Sequence, residues 1–262
     1  MNKQSTVMAI DTSTATMAGA LMRNDQLLAS VQTEAERNHS IHIMTNIEAM
    51  LAASGVKLQE LEGIVTGIGP GSYTGVRIAV TAAKTLAWTA EKQLIGVSSL
   101  AGLAFSGVLA EEGTLPNAIV IPLMDARRGQ VYTAAFAVHM QTDTCSRLDQ
   151  DHIVMMNTWC QYWELKLQEL KDAGIEIVAF FGDVGQHEAS ISAFQSSAEA
   201  VGLKVLAKQH QMNGQAFAML GRGQWLNERV IAADPHELVP NYAQLTEAEV
   251  KQNAKEQEEG KR

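Results

Sequence analysis

The order of predicted strands and helices is the feature that most constrains the fold of this chain, because the same order occurs twice. Short apolar runs bounded by turn residues predict strands, and amphipathic segments predict helices. In the first half the predicted strands are Val7–Ile10, Met17–Met22, Leu27–Thr33, Ile64–Thr66 and Leu94–Val97. One predicted helix is capped by Asn38 or Ser40 and ends near Ala53, and another runs from about Thr74 to Ala90. The order is therefore β-β-β-α-β-α-β.

The second half repeats this order. Its predicted strands are Ala118–Leu123, Gln130–Val138, a strand around Ile153–Met156, Ile175–Phe181 and Leu203–Leu206. Its predicted helices are about Thr158–Asp172 and Gln186–Ala200. A last helix, about Gln215–Asn227, has no counterpart in the first half.

A duplicated β-β-β-α-β-α-β unit is typical of the α/β fold of actin, hexokinase and Hsp70 (the ASKHA fold), in which two such domains face each other across a cleft. We expect an N-terminal half at residues 1–103, joined by the helix near residues 211–230, and a C-terminal half at 104–210. We expect residues 211–246 to form a closing helix and segment. Residues 247–262 are charged and poor in large apolar side chains, which predicts a disordered tail.

The charge balance limits which partners the chain can bind directly. Twenty Lys and Arg residues against 29 Asp and Glu residues give a formal net charge of −9. A protein that binds RNA mainly through phosphates needs a basic surface, so we expect any contact with RNA to be made through a partner. The cysteines Cys145 and Cys160 form no CxxC motif and are typical of reduced thiols. No segment reaches the length of a membrane span or a signal peptide, so we expect a cytoplasmic protein.

Two turns carry candidate phosphate-binding residues. Asp11-Thr12-Ser13-Thr14 follows the first strand and offers small hydroxyl donors to an anion, although an ordinary Asp-capped turn has the same composition. The glycine-rich stretch Gly67–Gly75, with Gly69, Gly71, Ser72 and Tyr73 as its candidate positions, precedes a helix. Its amides could bind an anion, or its glycines could permit close packing. The stretch is neither a Walker A loop nor a dinucleotide fingerprint.

Four stretches in this order carry a family resemblance, and the glycine-rich one is the most specific. They are Ala9–Thr14, Gly67–Arg77, Met124–Tyr132 and Val239–Tyr242. Together they resemble the TsaB (YeaZ) family over about Val7 to Glu249. The resemblance implies the ASKHA fold and a role in forming N6-threonylcarbamoyladenosine at position 37 of tRNAs that read codons beginning with A.

TsaB resembles a catalytic paralogue, TsaD, and the departures from TsaD imply a non-catalytic protein. TsaD carries two metal-binding histidines in a Val-Asn-His-Leu-x-Gly-His motif, where this chain has Ser99 and Leu103. A leucine cannot bind a metal, and one hydroxyl cannot replace two imidazoles. A Gly-Gly-His segment of TsaD is represented only by the Asp125–Gly129 turn. The resemblance therefore makes the phosphate-loop positions vestigial: Asp11, Thr12, Ser13, Thr14, Gly69, Gly71, Ser72, Tyr73 and Asp125.

The resemblance also implies partners. It implies a scaffold or dimerisation subunit that supports a TsaD-like catalytic subunit, joined by a TsaE-like ATPase, with a homodimer when the partner is absent. We expect no catalytic residue, no metal and no tightly bound cofactor, with only weak nucleotide binding in the cleft. Two alternatives stay open. A small-molecule kinase of the ASKHA fold would need intact phosphate loops in both halves, and a metallopeptidase-like protein would need the missing histidines.

Two helices carry faces without charged residues, which predicts a partner surface. The helix ending near Ala53 places Ile43, Met44, Ile47, Met50 and Leu51 on a core-facing side. The predicted partner face lies on the other side of this helix and on one flank of the Thr74–Ala90 helix: His42, Thr45, Asn46, Ala49, Ala53, Ile78, Ala82, Thr85 and Thr89. The alternative is that another part of the same chain covers these residues.

Overall fold

The computed structural model describes residues 5–34, 39–111, 115–226 and 234–242. The first half contains β1 (Thr6–Asp11), β2 (Thr16–Arg23), β3 (Gln26–Glu34), α1 (His39–Ser54), β4 (Gly63–Gly67), α2 (Tyr73–Ala90), β5 (Gln93–Val97) and α3 (Ser99–Ala110). The second half contains β6 (Ala118–Asp125), β7 (Gln130–His139), β8 (Thr144–Met155), α4 (Met156–Glu164), α5 (Leu167–Asp172), β9 (Ile177–Gly182), α6 (Glu188–Ala200), β10 (Lys204–Gln209) and α7 (Gly214–Leu226). The predicted tail at 247–262 lies outside the described residues.

The two sheets have the same topology. Their strand orders are β3-β2-β1-β4-β5 and β8-β7-β6-β9-β10. In each sheet the first three strands of the half pair antiparallel, and the fourth and fifth strands add in parallel next to the first. The predicted duplication and the ASKHA fold class are therefore confirmed.

Helix α3 is an element that the sequence prediction missed. Ser98 caps its N-terminus by accepting a hydrogen bond from the backbone N–H of Ala101 at 3.3 Å. Its residues from Ser99 to Val108 are all buried, so the helix is apolar on every side and has no amphipathic period to reveal it. The prediction that the last helix has no counterpart is thus wrong, because α3 follows β5 as α7 follows β10. The predicted boundary after residue 103 falls inside α3.

Strand β8 and the helix after it also differ from the prediction. The strand has twelve residues, from Thr144 to Met155, and not only the apolar end that the sequence indicated. It lies at the edge of its sheet, where charged side chains stay in contact with water, so no apolar alternation marks it. The predicted helix over 158–172 is two helices, α4 and α5, separated at Leu165 and Lys166.

Helices α3 and α7 each pack on the sheet of the opposite half, and in this way they join the two halves. Helix α7 follows the second sheet but packs on β1 and β2, whereas α3 follows the first sheet but packs on β6 and β7. The two helices also contact each other, where a Cβ on Gly102 would stand 2.3 Å from the ring of Phe217. One apolar core therefore runs from the first sheet through both helices to the second sheet. Separate cores lie outside it, under α1 and α2 and under α4 and α6.

A buried arginine links the halves through two turns. The Nη2 atom of Arg222, on α7, lies 2.7 Å from Asp25 Oδ1 in the β2–β3 turn and 2.6 Å from Asp143 Oδ2 in the β7–β8 turn. The side chain of Asp143 is only 13% exposed, whereas that of Asp25 is 92% exposed. Burial alone would lower the pKa of Arg222, but the hydrogen bonds and charges of the two aspartates outweigh it, and the pKa is raised. The guanidinium therefore stays charged.

Within the described ranges, no helix combines the length and hydrophobicity needed to span a bilayer.

Candidate functional site

A cleft of about 840 Å³ lies where the two halves face each other. The first half contributes the turn after β1 and the start of α2, from Ser13 to Thr16 and from Gly71 to Thr74. The second half contributes residues 125–128, at the end of β6 and beyond it, and residues 209–212, at the end of β10 and beyond it. The volume falls within the range of roughly 300–1,000 Å³ typical of small-ligand sites.

The three hydroxyls of the turn after β1 donate hydrogen bonds within the chain. Asp11 is 0% exposed, and its Oδ1 accepts hydrogen bonds from the backbone N–H of Ser13 at 2.8 Å and from the Ser13 hydroxyl at 2.6 Å. The hydroxyl of Thr12 donates to the carbonyl of Gly75 at 2.6 Å, and that of Thr14 donates to the carbonyl of Thr16 at 3.0 Å. Of the four predicted positions in this turn, Ser13 and Thr14 line the cleft.

The glycine-rich loop packs directly on that turn. A Cβ on Gly71 would stand 2.5 Å from the carbonyl oxygen of Ser13, and one on Gly75 would stand 1.8 Å from that of Thr12. The backbone N–H of Ser72 donates to the same Ser13 carbonyl at 2.7 Å. The glycines are thus required by close packing, which was one of the two interpretations of this loop. Gly71, Ser72 and Tyr73 line the cleft, and Gly69 lies beneath it as a buried residue.

The resemblance described above places the lost metal ligands at Ser99 and Leu103. The Ser99 hydroxyl donates to Asp11 Oδ2 at 2.6 Å and accepts the backbone N–H of Gly69 at 3.2 Å. Leu103 lines the cleft with an apolar side chain. The donor set therefore does not fit a transition metal. Among the described residues, no group of three or more His, Cys, Asp or Glu side chains could hold a metal ion.

The β6–β7 turn presents two arginines to the cleft. Asp125 holds the turn through its Oδ1, which accepts the backbone N–H of Arg127 at 3.0 Å. Asp183 Oδ2 accepts the backbone N–H of Asp125 at 2.8 Å. Arg127 and Arg128 both have left-handed backbones, with φ of 66° and 54°, and both side chains are exposed and line the cleft. The sequence analysis noted these arginines only as part of a family motif and did not assign them to a site.

Burial shifts the pKa of two other cleft groups towards the neutral form. Burial raises the pKa of the Tyr132 phenol. Burial also lowers the pKa of His210, against an opposing hydrogen bond from Ser106 and the charge of Glu111. Both side chains line the cleft. The Asp, Glu, Lys and Arg side chains that line the cleft are Asp125, Asp183 and the two arginines of the β6–β7 turn.

The segment Leu238–Tyr242 fastens the glycine-rich loop to the second half. The backbone N–H of Asn241 donates to the carbonyl of Ile68 at 2.6 Å, and its side-chain amide donates to Asp151 Oδ2 on β8 at 2.7 Å. The ring of Tyr242 lies 4.9 Å from that of Tyr73, which lines the cleft. The motif Val239–Tyr242 thus lies beside the cleft, close to the other three motifs.

The predicted partner face is mostly accessible. His42, Thr45, Ala49 and Ala53 are exposed on α1, and Thr85 and Thr89 are exposed on α2; Asn46, Ile78 and Ala82 are half-buried. Asn46 donates to Thr33 Oγ1 at 3.4 Å. Met44 was predicted to face the core but is 43% exposed, because its position on α1 lies beyond the stripe formed by Ile43, Ile47 and Met50. Trp88 on α2, which the prediction overlooked, is 65% exposed.

Comparisons with known proteins point to one family along nearly the whole chain. The TsaD family, described as tRNA N6-adenosine threonylcarbamoyltransferase, matches residues 29–255. The tRNA threonylcarbamoyladenosine biosynthesis protein TsaB of Bacillus subtilis (strain 168) is 35% identical over 246 residues, covering 94% of this chain and 97% of that protein. The protein of the same name in Escherichia coli (strain K12) is 35% identical over 130 residues, covering 50% and 54%. The solved structure of YeaZ from Pseudomonas aeruginosa shares the fold, with a TM-score of 0.71 at 21% identity, covering 91% of this chain and 99% of that one.

Proposed function

Because this chain belongs to the TsaB family of tRNA threonylcarbamoyladenosine biosynthesis proteins, we propose that it is the non-catalytic subunit that binds and supports a TsaD-like catalytic subunit. The product is N6-threonylcarbamoyladenosine at position 37 of tRNAs that read codons beginning with A. A TsaE-like ATPase joins the assembly, and two copies of this chain pair when the catalytic subunit is absent. The protein acts in the cytoplasm and contacts tRNA only through its partner.

The hydrogen bond between Ser99 and Asp11 carries the non-catalytic part of this proposal. Ser99 stands at a position where the resemblance to TsaD predicts a metal ligand, and it donates at 2.6 Å to a carboxylate that is 0% exposed. Ser13 binds the other oxygen of the same carboxylate with two hydrogen bonds. This arrangement supports a residual structural role for the former site residues. We extend this structural role to the remaining phosphate-loop positions, and we therefore expect nucleotide binding in the cleft to be weak.

The faces of α1 and α2 support the proposed partner surface. The helices contact each other, so their exposed sides form one continuous surface. None of the nine proposed residues is Lys, Arg, Asp or Glu, and six of them are Thr or Ala, which allow a partner helix to approach closely. Met44 and Trp88 add exposed apolar area on these helices. We propose that TsaD, or a second copy of this chain, packs here.

A kinase is the alternative that the fold suggests, and the cleft gives it little support. Phosphate loops act by offering free backbone and hydroxyl donors to an anion. In this chain the donors of Ser13 and the backbone N–H of Ser72 are already used within the protein. An ATPase and sugar-kinase assay on the isolated chain separates the two functions, since the scaffold proposal expects no turnover.

Depletion of the protein in its native cell tests the proposal directly. We expect threonylcarbamoyladenosine to fall in tRNAs that read codons beginning with A, measured by nucleoside mass spectrometry. Re-expression of the wild-type chain should restore the modification. Unchanged modification after complete depletion, in a cell with no second copy of the gene, would contradict the proposal. Co-purification from the same cells should bring down a TsaD-like protein.

A further inference from the structure

Arg127 and Arg128, in the β6–β7 turn, have no part in the proposed scaffold role, although hydrogen bonds hold their turn in place. The backbone N–H of Gln130 donates to the carbonyl of Arg127 at 3.0 Å, and that of Met156 donates to the carbonyl of Gly129 at 3.1 Å. With the two bonds from Asp125 and Asp183, these contacts hold the turn from both ends. No ion pair among the described residues engages Arg127 or Arg128. Two positive charges therefore face the cleft from a rigid turn.

The rest of the cleft does not suit a chain of phosphates. Asp125 and Asp183 lie in the same wall as the arginines, and they would repel the several successive charges of a nucleotide triphosphate or an RNA strand more strongly than a ligand with only one or two negative charges. The hydroxyl and amide donors of Ser13 on the facing wall are used within the protein. The net charge of −9 further opposes RNA. The fitting ligand has its negative charge at one end and neutral groups beyond it.

Polar uncharged side chains cover much of the remaining wall. Gln130 and Gln186 line the cleft, and an amide side chain both donates and accepts, as a peptide group does. Tyr73 stands at the rim with 48% of its surface exposed. Arginine binds carboxylates through two parallel hydrogen bonds. A peptide with an acidic end can bind the arginines through its carboxylates and the glutamine side chains through its peptide groups.

We propose that this cleft binds a segment of a partner protein that has one or two acidic residues at one end and neutral residues beyond them, and that Arg127 and Arg128 bind the acidic side chains. None of the nine residues of the partner face on α1 and α2 lines the cleft. The cleft is therefore a second interaction site, separate from the proposed contact with TsaD. If the cleft proved not to bind such a segment, the proposed assembly through α1 and α2 would still stand.

Titration of the isotope-labelled full chain, followed by NMR, tests the proposal. The probe is a blocked hexapeptide with two glutamates followed by four neutral residues. We expect saturable shifts at the amides of residues 125–130 that weaken with added salt. The double variant Arg127→Asn/Arg128→Asn should bind at least about tenfold more weakly. Asparagine tolerates the left-handed backbone, so the turn is retained while the charges are removed.

The controls separate this site from other ligands. Lys57→Gln/Lys204→Gln removes two positive charges at exposed positions outside the cleft and should keep the wild-type affinity. A peptide with two lysines in place of the glutamates should not bind. The proposal is overturned if no saturable shifts appear, or if the asparagine variant binds as tightly as wild type. It is equally overturned if ATP or an oligonucleotide displaces the peptide at lower concentration than a second acidic peptide does.

Discussion

The hydroxyl of Ser99 lies 2.6 Å from Oδ2 of Asp11 and donates a hydrogen bond to it, with both residues fully buried. A buried carboxylate is stable only when donors surround it. Ser99 and Ser13 supply three such donors, from the start of α3 and from the turn after β1. The pair therefore joins the glycine-rich loop, β1 and α3 at the base of the cleft.

Removing this hydroxyl should destabilise the fold. Ser99→Ala leaves Asp11 Oδ2 without the Ser99 donor, and we expect a loss of about 1–3 kcal/mol in the free energy of unfolding. Urea denaturation followed by circular dichroism measures it. Ser196→Ala is the matched control, because Ser196 is exposed on α6 and its hydroxyl bonds only to the carbonyl one turn earlier. Equal stability of the two variants would contradict the structural role of Ser99.

The hydrogen bond between Ser99 and Asp11 leads to an expectation about the metal content of the isolated chain. Ser99 is engaged with Asp11, and Leu103 offers no ligand atom, so we expect far less than one zinc or iron per purified chain. Elemental analysis after gel filtration measures this. Incubation of the chain alone with tRNA and the threonylcarbamoyl donor should yield no modified nucleoside. One tightly held metal per chain would contradict the expectation.

Arg222 predicts unequal effects of two aspartate substitutions. Asp143→Asn removes the charge of a largely buried partner and leaves the buried guanidinium of Arg222 poorly compensated. Asp25→Asn removes the charge of a partner that is 92% exposed and screened by water. We expect the larger loss of thermal stability for Asp143→Asn, by calorimetry at the same pH. A larger loss for Asp25→Asn would contradict the expectation that the buried contact with Asp143 contributes more stability than the exposed contact with Asp25.

The duplicated fold could be predicted because its evidence is local. Apolar runs such as Met17–Met22 mark strands by composition, and the order of such runs repeats. Helix α3 could not be found in this way, because burial on all sides removes the amphipathic period. Most of strand β8 was not predicted, because an edge strand tolerates charged residues and so lacks a clear apolar pattern.

The site was less predictable because its contacts join distant parts of the chain. Ser99 and Asp11 are 88 positions apart, so the sequence indicated a lost metal ligand but not the bond that replaces it. The position of Arg127 and Arg128 depends on left-handed backbones, which are uncommon for arginine and cannot be predicted from its side chain. For the phosphate loops, the sequence left anion binding and close packing open. Only the distances between Gly71, Gly75 and the first turn identify the packing.

Ala49→Arg tests the proposed partner surface. Ala49 is exposed on α1, so the variant folds without strain in the isolated chain. In a complex, the new guanidinium would be buried in an uncharged helix face without a partner, which costs several kcal/mol, on the order of 3–5. We expect the variant to lose both the complex with the TsaD-like subunit and the homodimer. Size-exclusion chromatography with light scattering measures the mass of each species.

A second alanine separates a specific interface from a general effect of charge. Ala193→Arg places the same side chain at an exposed position in the middle of α6, on the outer side of the second half. Because α6 contributes no residue to the proposed face, this variant should assemble like wild type. Circular dichroism spectra of both variants should match the wild-type spectrum, so that a lost complex cannot be attributed to unfolding. If Ala49→Arg elutes as a complex of unchanged mass, the contact lies on another surface, and the uncharged faces of α1 and α2 need a different explanation.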